Sequence, residues 1–329
     1  MATYTIAITD YQYESIEPQR EVVRAYPNME LVDFQCRTEE DVLRYAGDAH
    51  VLINQYAPMT RRVIEGLTRC RAIIRYGIGV DTVDVQAASE RGIYVCNVPD
   101  YGVDETSNHA ISMILALSRK LPVVMADVRR GNWSLACGKP MHRFEGSTLG
   151  LVGLGRIASA IARKMAAFGL HIVAYDPYVK AQRAQELGVT LVDFDTLVRT
   201  SDYISIHCPA TPENAHMFAR AQFAAMKPTA YLINAARGSI VDTQALIDAL
   251  RAGEIAGAGL DVLEREPIEP DSPLLTMDNV IITSHFGGYS EEAILSLQRK
   301  ATLEAVNILS GNAPYNAVNK SAVEAHARA

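Results

Sequence analysis

The chain repeats one pattern in two series: a short apolar run, a helical stretch, another apolar run. In the first series TYTIAITD, HVLINQ, RAIIRYG and GIYVCNVP read as strands, with TEEDVLRYAGDA and TRRVIEGL as helices between them. Thr38 and Asp41 stand at capping-box spacing and mark a helix start. The second series runs TLGLVG (strand), RIASAIARKMAAFG (helix), HIVAYD, YISIH and AYLINA (strands), TQALIDALRAG (helix), GAGLDV and VIITSH (strands). Between the series lies a long helical stretch, VDETSNHAISMILALSRKLPVVMADVRRG, interrupted near Pro122. A final helix, EEAILSLQRKATLEAVNILSG, precedes a small polar tail. Strands separated by helices imply parallel βαβ units. At 329 residues the chain exceeds what one core usually organises. The expected fold class is therefore α/β, with two doubly wound parallel-sheet domains. The final helix can return to the first domain and make it discontinuous.

Composition excludes several roles. A net charge of -7 argues against nucleic-acid binding, which needs a basic face. No window approaches the length of a membrane helix, so no membrane partner is expected. The amino terminus, MATYTIAITD, reads as a strand rather than a signal peptide. Cys36, Cys70, Cys96, Cys137 and Cys208 are odd in number and unclustered, as in reduced intracellular thiols, and the expected location is cytoplasmic. No metal site is expected.

TLGLVGLGRIASAIARK carries Gly153, Gly155 and Ala158 as G-x-G-x-x-A. The spacing alone is weak, but here it follows a strand and opens a helix, as a dinucleotide loop must. Gly153 permits the tight turn, Gly155 lets a pyrophosphate approach the backbone, and Ala158 keeps the helix near the sheet. Free amides near Arg156 and Ile157 attract the diphosphate. Asp176 ends the next strand, where a carboxylate accepts both ribose hydroxyls and repels a 2′-phosphate, which points to NAD over NADP. The plain structural alternative is a glycine turn followed by an aspartate that caps a turn.

YLINAARGSIVD runs an apolar strand into Arg237 and then Gly238. A guanidinium presents a planar fork of donors that fits a small carboxylate, and it stays charged in a cleft. Gly238 lets the chain turn so that Arg237 projects from the strand end. A strand-end arginine in a surface ion pair remains open. His285 ends VIITSH ahead of Phe286-Gly287-Gly288. Imidazole titrates near neutrality and can act as both acid and base. His50, His142, His171, His216 and His326 show no surrounding pattern, and His207 in SIHCP reads as packing or cofactor-adjacent.

The glycine loop, NAARGSIVD, GAGLDVLEREP and SHFGG, in that order, resemble the D-isomer-specific 2-hydroxyacid dehydrogenase family. RYGIGVDTVD and VCNVPDYGVDET extend the likeness over nearly the whole chain, which looks closest to the branch of phosphoglycerate dehydrogenases and C-terminal-binding proteins. The resemblance implies a Rossmann cofactor domain, residues 99–291, inserted into a flavodoxin-like substrate-binding domain, residues 1–98 and 292–329, and a homodimer through the helical region after Pro99. It implies NAD as cofactor and a small 2-hydroxy or 2-oxo acid as substrate. It makes Arg237, Glu266 and His285 catalytic, with Glu266 facing the histidine, while Glu264 and Glu269 read as solvated charges. It adds Thr106, Cys208, Ala235, Ala236, Asp261, Gly287 and Gly288 to the cofactor contacts. Arg75, Gly77, Ile78, Gly79 and Tyr56 become substrate contacts.

Some positions depart from the family pattern. Ser284 stands where proline usually precedes the histidine. Gln55 and Tyr56 replace a basic side chain of the phosphoglycerate branch, although Arg75 remains. Gly288 stands where C-terminal-binding proteins carry tryptophan, and the only tryptophan is Trp133. In the formate branch a glutamine replaces Glu266. Two functions follow: a dehydrogenase acting on glyoxylate, hydroxypyruvate or a similar acid, or an NAD(H)-sensing scaffold of the C-terminal-binding type.

Overall fold

The computed structural model describes residues 4–326. Residues 1–3 and 327–329, on which parts of the expected first strand and domain limits fall, lie outside the described residues. The chain divides into two compact units, one of residues up to Tyr101 together with those from Ser290 onward, the other Gly102–Tyr289.

The first unit holds a parallel sheet of β1 (Tyr4–Ile8), β2 (Met29–Asp33), β3 (Val51–Asn54), β4 (Ala72–Arg75) and β5 (Tyr94–Cys96), in the order β2-β1-β3-β4-β5. A parallel sheet is covered on both faces, which is why β3 and most of β4 read as unbroken apolar runs. One face packs Ile6, Ile53 and Ile74 with Leu297, Ala301 and Ala305 of the helix Glu291–Leu309, so the chain returns to this sheet. The other packs Leu52, Ile73 and Val95 with Val42 and Val63. The helix Glu39–Ala46 starts at Thr38, and both bonds of the capping box with Asp41 form. The polar tail folds into the helix Lys320–His326, because Asn319 accepts from the Val95 amide at 2.8 Å and Val323 is buried.

The second unit holds seven parallel strands: β6 (Thr148–Val152), β7 (His171–Tyr175), β8 (Thr190–Leu191), β9 (Tyr203–Ile206), β10 (Tyr231–Asn234), β11 (Gly257–Leu260) and β12 (Val280–Ile282). Their order is β12-β11-β10-β9-β6-β7-β8. Strand order reverses between β6 and β9, and open α/β sheets bind ligands beyond the carboxyl ends at such a point. The long helical stretch forms two helices, Val103–Ser118 and Leu121–Arg129. The break falls near Pro122, as expected, at Lys120, which is left-handed with φ 49°. Pro122 sits in the first helical turn, where its missing N–H costs nothing. Gly259 lets the first of these helices pack close on β11: a Cβ there would lie 2.9 Å from Met113 Sδ.

Candidate active site

Adjacent strands β10, β11 and β12 pair in register through Asn234, Leu260 and Ile282. Arg237 follows β10, Asp261 and Glu266 follow β11, and His285 follows β12. With strands about 4.8 Å apart, β10 and β12 lie about 10 Å apart, a span that an arginine and an imidazole together can bridge.

His285 is left-handed, with φ 57°. That conformation costs a non-glycine residue about 1 kcal/mol or more and persists only where its surroundings enforce it. Asp261 enforces it. Its carbonyl accepts from the His285 amide at 2.8 Å. Its carboxylate accepts from the amides of Phe286 (2.8 Å) and Gly287 (2.9 Å) and from Thr283 Oγ1 (2.6 Å). Gly287 is required by this closeness, since a Cβ would fall 2.8 Å from Asp261 Oδ2. Burial works against ionisation of Asp261, but the bonds from His109, Thr283 and the two amides outweigh it and hold the carboxyl down at about 2. A depressed pKa stabilises the fold above the ordinary carboxylate value, and that stability is lost as pH falls through about 2. Asp261→Asn should therefore cost about 2 kcal/mol at neutral pH. In urea denaturation the gap from the unmodified chain should close as pH falls from about 4 toward 2.

Glu266 Oε2 lies 2.9 Å from His285 Nδ1, and its Oε1 accepts from the Leu263 amide at 3.0 Å. Partial burial opposes ionisation of Glu266, yet the bonds from His285 and the amide bring its pKa below the usual glutamate value. It is thus a carboxylate at neutral pH. It accepts from Nδ1–H and leaves the other imidazole nitrogen to exchange a proton.

Glu264 is exposed, as expected, but it also has partners. It receives the Thr243 amide at 2.7 Å and pairs with His216 Nε2 at 2.5 Å, a bond that raises the His216 pKa. His216, which carries no local sequence pattern, thus anchors the loop that bears Glu266. Glu269 pairs with Arg265 on the exposed face.

Buried Asn234 shapes the Arg237 turn. Its Nδ2 donates to the Arg237 carbonyl at 2.9 Å and its Oδ1 accepts from the Ala236 amide at 3.1 Å. The expected reason for Gly238 needs correction. Its φ is not positive; glycine is required because a Cβ would sit 1.9 Å from the Leu263 carbonyl carbon. The Arg237 turn therefore abuts the Leu263–Glu264 backbone. Gly238→Ala should push the two apart, destabilising the fold by about 1–3 kcal/mol in thermal or chemical denaturation and lowering activity with it.

Gly153 is left-handed at φ 85°, and a Cβ there would lie 2.9 Å from the Cys208 amide. Nothing lies within 4 Å of where a Gly155 Cβ would point, and no side chain caps the helix Arg156–Met165. Open room and uncapped amides suit a diphosphate. Arg156 is exposed, Ile157 half-buried and Ala158 fully buried. Asp176 binds backbone amides at Leu154 (2.8 Å), Tyr178 (2.8 Å) and Val179 (3.1 Å), so it also ties β7 to the glycine loop. These residues fit an NAD molecule. Burial pushes the Cys208 thiol up to about 11, so it packs rather than reacts. Ala235 and Ala236 pack in the cores on opposite faces of the sheet. Thr106 is buried in the first turn of its helix. A Cβ on Gly102 would meet the Gly288 carbonyl at 3.1 Å, which seats Gly288 against the start of that helix. His207 pairs with Ser205 Oγ at 2.7 Å, and burial pushes its imidazole down to about 3, so it is neutral.

Within the first unit, Tyr56 follows β3, and Arg75 with Gly77, Ile78 and Gly79 ends or follows β4. The Arg75 guanidinium carbon lies 5.5 Å from the Tyr56 ring centroid. Buried Asp10 accepts from the amides of Gln55 (3.0 Å) and Tyr56 (2.5 Å) and sets this loop. Asn97 Nδ2 donates to the Ile78 carbonyl at 2.6 Å.

His109, Thr283, Asn234 and Asp10 carry no sequence signal for these roles. Their partners lie on other strands or, for Asn234, depend on the shape of a turn. A cavity of about 620 Å³ at the amino-terminal edge of the second sheet, lined by Lys120, Asp202, Tyr203 and Tyr231, includes none of the expected site residues.

Residues 111–287 match the family model of the D-isomer specific 2-hydroxyacid dehydrogenase NAD binding domain. The D-3-phosphoglycerate dehydrogenase of Archaeoglobus fulgidus is 39% identical over 274 residues, 83% of this chain and 52% of that protein. The chain thus spans about half the length of that relative. The glyoxylate reductase of Korarchaeum cryptofilum is 40% identical over 275 residues, 81% of each chain. Among solved structures, Aquifex aeolicus D-lactate dehydrogenase complexed with NAD and lactic acid superposes with a TM-score of 0.83 at 28% identity, covering 93% of this chain and 96% of that one. With a Rossmann strand order, a fitted glycine loop and a histidine–glutamate pair already in place, these matches show that the chain belongs to the D-isomer specific 2-hydroxyacid dehydrogenase family.

Proposed function

We propose that the chain is an NAD-dependent oxidoreductase that interconverts a small D-2-hydroxy acid and its 2-oxo acid, of the size of glyoxylate or hydroxypyruvate. The observation that carries this reading is the 2.9 Å bond from His285 Nδ1 to Glu266. Glu266 holds the imidazole so that Nε2 gives a proton to the 2-oxo oxygen in reduction and takes it back in oxidation. Arg237 grips the substrate carboxylate and fixes the orientation of C2. Bound nicotinamide supplies the hydride. The amides of Gly77, Ile78 and Gly79, with Tyr56 and Arg75, select the substrate. Asp176 favours NAD over NADP. The substrate domain is assigned to the first unit and the NAD-binding domain to the second. A scaffold has no physical need for the full set of arginine, glutamate and histidine.

The test is NADH oxidation by purified protein across a panel of 2-oxo acids. Turnover of glyoxylate or hydroxypyruvate supports the reading, and absence of turnover on the whole panel contradicts it.

The proposed assembly is a homodimer. The helix Leu121–Arg129 has no buried residue, and Leu121, Met125, Val128, Trp133 and Leu135 are exposed, Trp133 at 92%. An apolar patch of this kind marks an interface. A double Trp133→Asp, Leu135→Asp variant should sediment as a monomer where the unmodified chain sediments as a dimer. Among the described residues no helix is long and apolar enough to cross a membrane, and all five cysteines are free. Free thiols support the proposed cytoplasmic location.

A further inference from the structure

His109 sits on the helix Val103–Ser118, far in sequence from everything it touches. Its Nε2 lies 2.9 Å from Thr283 Oγ1 and 3.3 Å from Asp261 Oδ1. Thr283 spends its only proton on Asp261, 2.6 Å away. Its oxygen can therefore only accept from His109, which makes Nε2 a donor. Asp261 in turn holds the amides of Phe286 and Gly287 and, through its carbonyl, the amide of His285. The His109 ring also backs the turn: it meets the Phe286 ring at 6.2 Å between centroids, and a Gly287 Cβ would lie 3.4 Å from its Cδ2. His109 itself is mostly buried, with 18% of its side chain exposed. Thr283, Asp261, Phe286 and Gly287, which surround the His285 backbone, thus all meet His109.

We propose that His109 is a positioning residue. Its Nε2–H, acting through Thr283 and Asp261, locks the backbone of 285–287 so that the His285 imidazole meets Glu266 in one orientation and as one tautomer. The proposal rests on His285 being the proton carrier. It concerns kcat rather than substrate binding, because the groups His109 bonds, Thr283 and Asp261, set the backbone that carries His285 rather than the turn that carries Arg237. Misplacement of a reacting group by about 1 Å can cost about a hundredfold in rate.

His109→Phe fills the space without the donor, whereas His109→Gln returns an N–H near the position of Nε2. Thr283→Val breaks the same chain with little change of volume. His109→Phe and Thr283→Val should each lower kcat by about 10- to 100-fold while leaving KM for the 2-oxo acid within about threefold. His109→Gln should recover kcat to within about threefold of the unmodified enzyme. A readout independent of turnover is the imidazole ¹⁵N spectrum of His285 at mildly alkaline pH. It should report the Nδ1–H tautomer in the unmodified chain and in His109→Gln, and a mixed population in the other two variants. If the unmodified protein reduces no 2-oxo acid, the proposed activity fails, and the tautomer spectra still decide the role of His109. Unchanged tautomer spectra in both His109→Phe and Thr283→Val overturn the proposal. So do an unchanged kcat in both variants of an active enzyme and a His109→Gln that is as slow as His109→Phe.

Discussion

His285→Ala is expected to lower kcat for reduction of the preferred 2-oxo acid by about a thousandfold, with NADH affinity unchanged. The size follows from the loss of a positioned general acid, which contributes about 10²- to 10⁴-fold. The histidines best placed to substitute for it are committed elsewhere. The other histidine–glutamate pair there, His216 with Glu264, spends its carboxylate on the Thr243 amide and anchors a loop. His207 is neutral and bonded to Ser205. Steady-state kinetics with fluorescence titration of NADH separates the two quantities. A His285→Ala enzyme within tenfold of the unmodified kcat would remove His285 from the chemistry.

Arg237→Ala should raise KM for the 2-oxo acid by about a hundredfold and lower kcat by about tenfold. A charge-assisted pair of bonds to a carboxylate contributes about 1.5–3 kcal/mol per bond, and part of that energy orients C2 for transfer. Lysine should recover little of the loss, since a point charge does not reproduce the planar fork. Asn234 and Gly238 hold the turn that carries Arg237 through its backbone, and the guanidinium itself donates to the Ala236 carbonyl at 2.6 Å. Initial rates over a wide substrate range test this, and an unchanged KM would contradict the assignment.

The framework of the second unit was legible because most of its strands are buried apolar runs and its glycine loop is local: Gly153, Gly155 and Ala158 lie within one strand–turn–helix. His285 and Arg237 were legible for the same reason, as each ends an apolar strand beside glycine. The braces around them were not. His109 is one polar residue on its helix, and its partners Thr283 and Asp261 become neighbours only once that helix packs on β10 and β11. The pairing of Glu264 with His216 depends on two loops meeting, which spacing does not encode. Gly238 stands out beside Arg237 in the sequence, but the reason for it, the approach of the Leu263 backbone, exists only in three dimensions. β8 spans only two residues, too few for a periodic signal, and β2 mixes Glu30 and Asp33 with its apolar residues.

The central claim is that one small anion is held by Arg237 while His285 reaches its 2-oxygen. A crystal structure of the protein with NAD and oxamate, a stable mimic of a 2-oxo acid, tests it most directly. The account predicts the guanidinium of Arg237 on the oxamate carboxylate and Nε2 of His285 within hydrogen-bond distance of the neighbouring oxygen. Oxamate bound beside the nicotinamide with either side chain turned away from it would contradict the account.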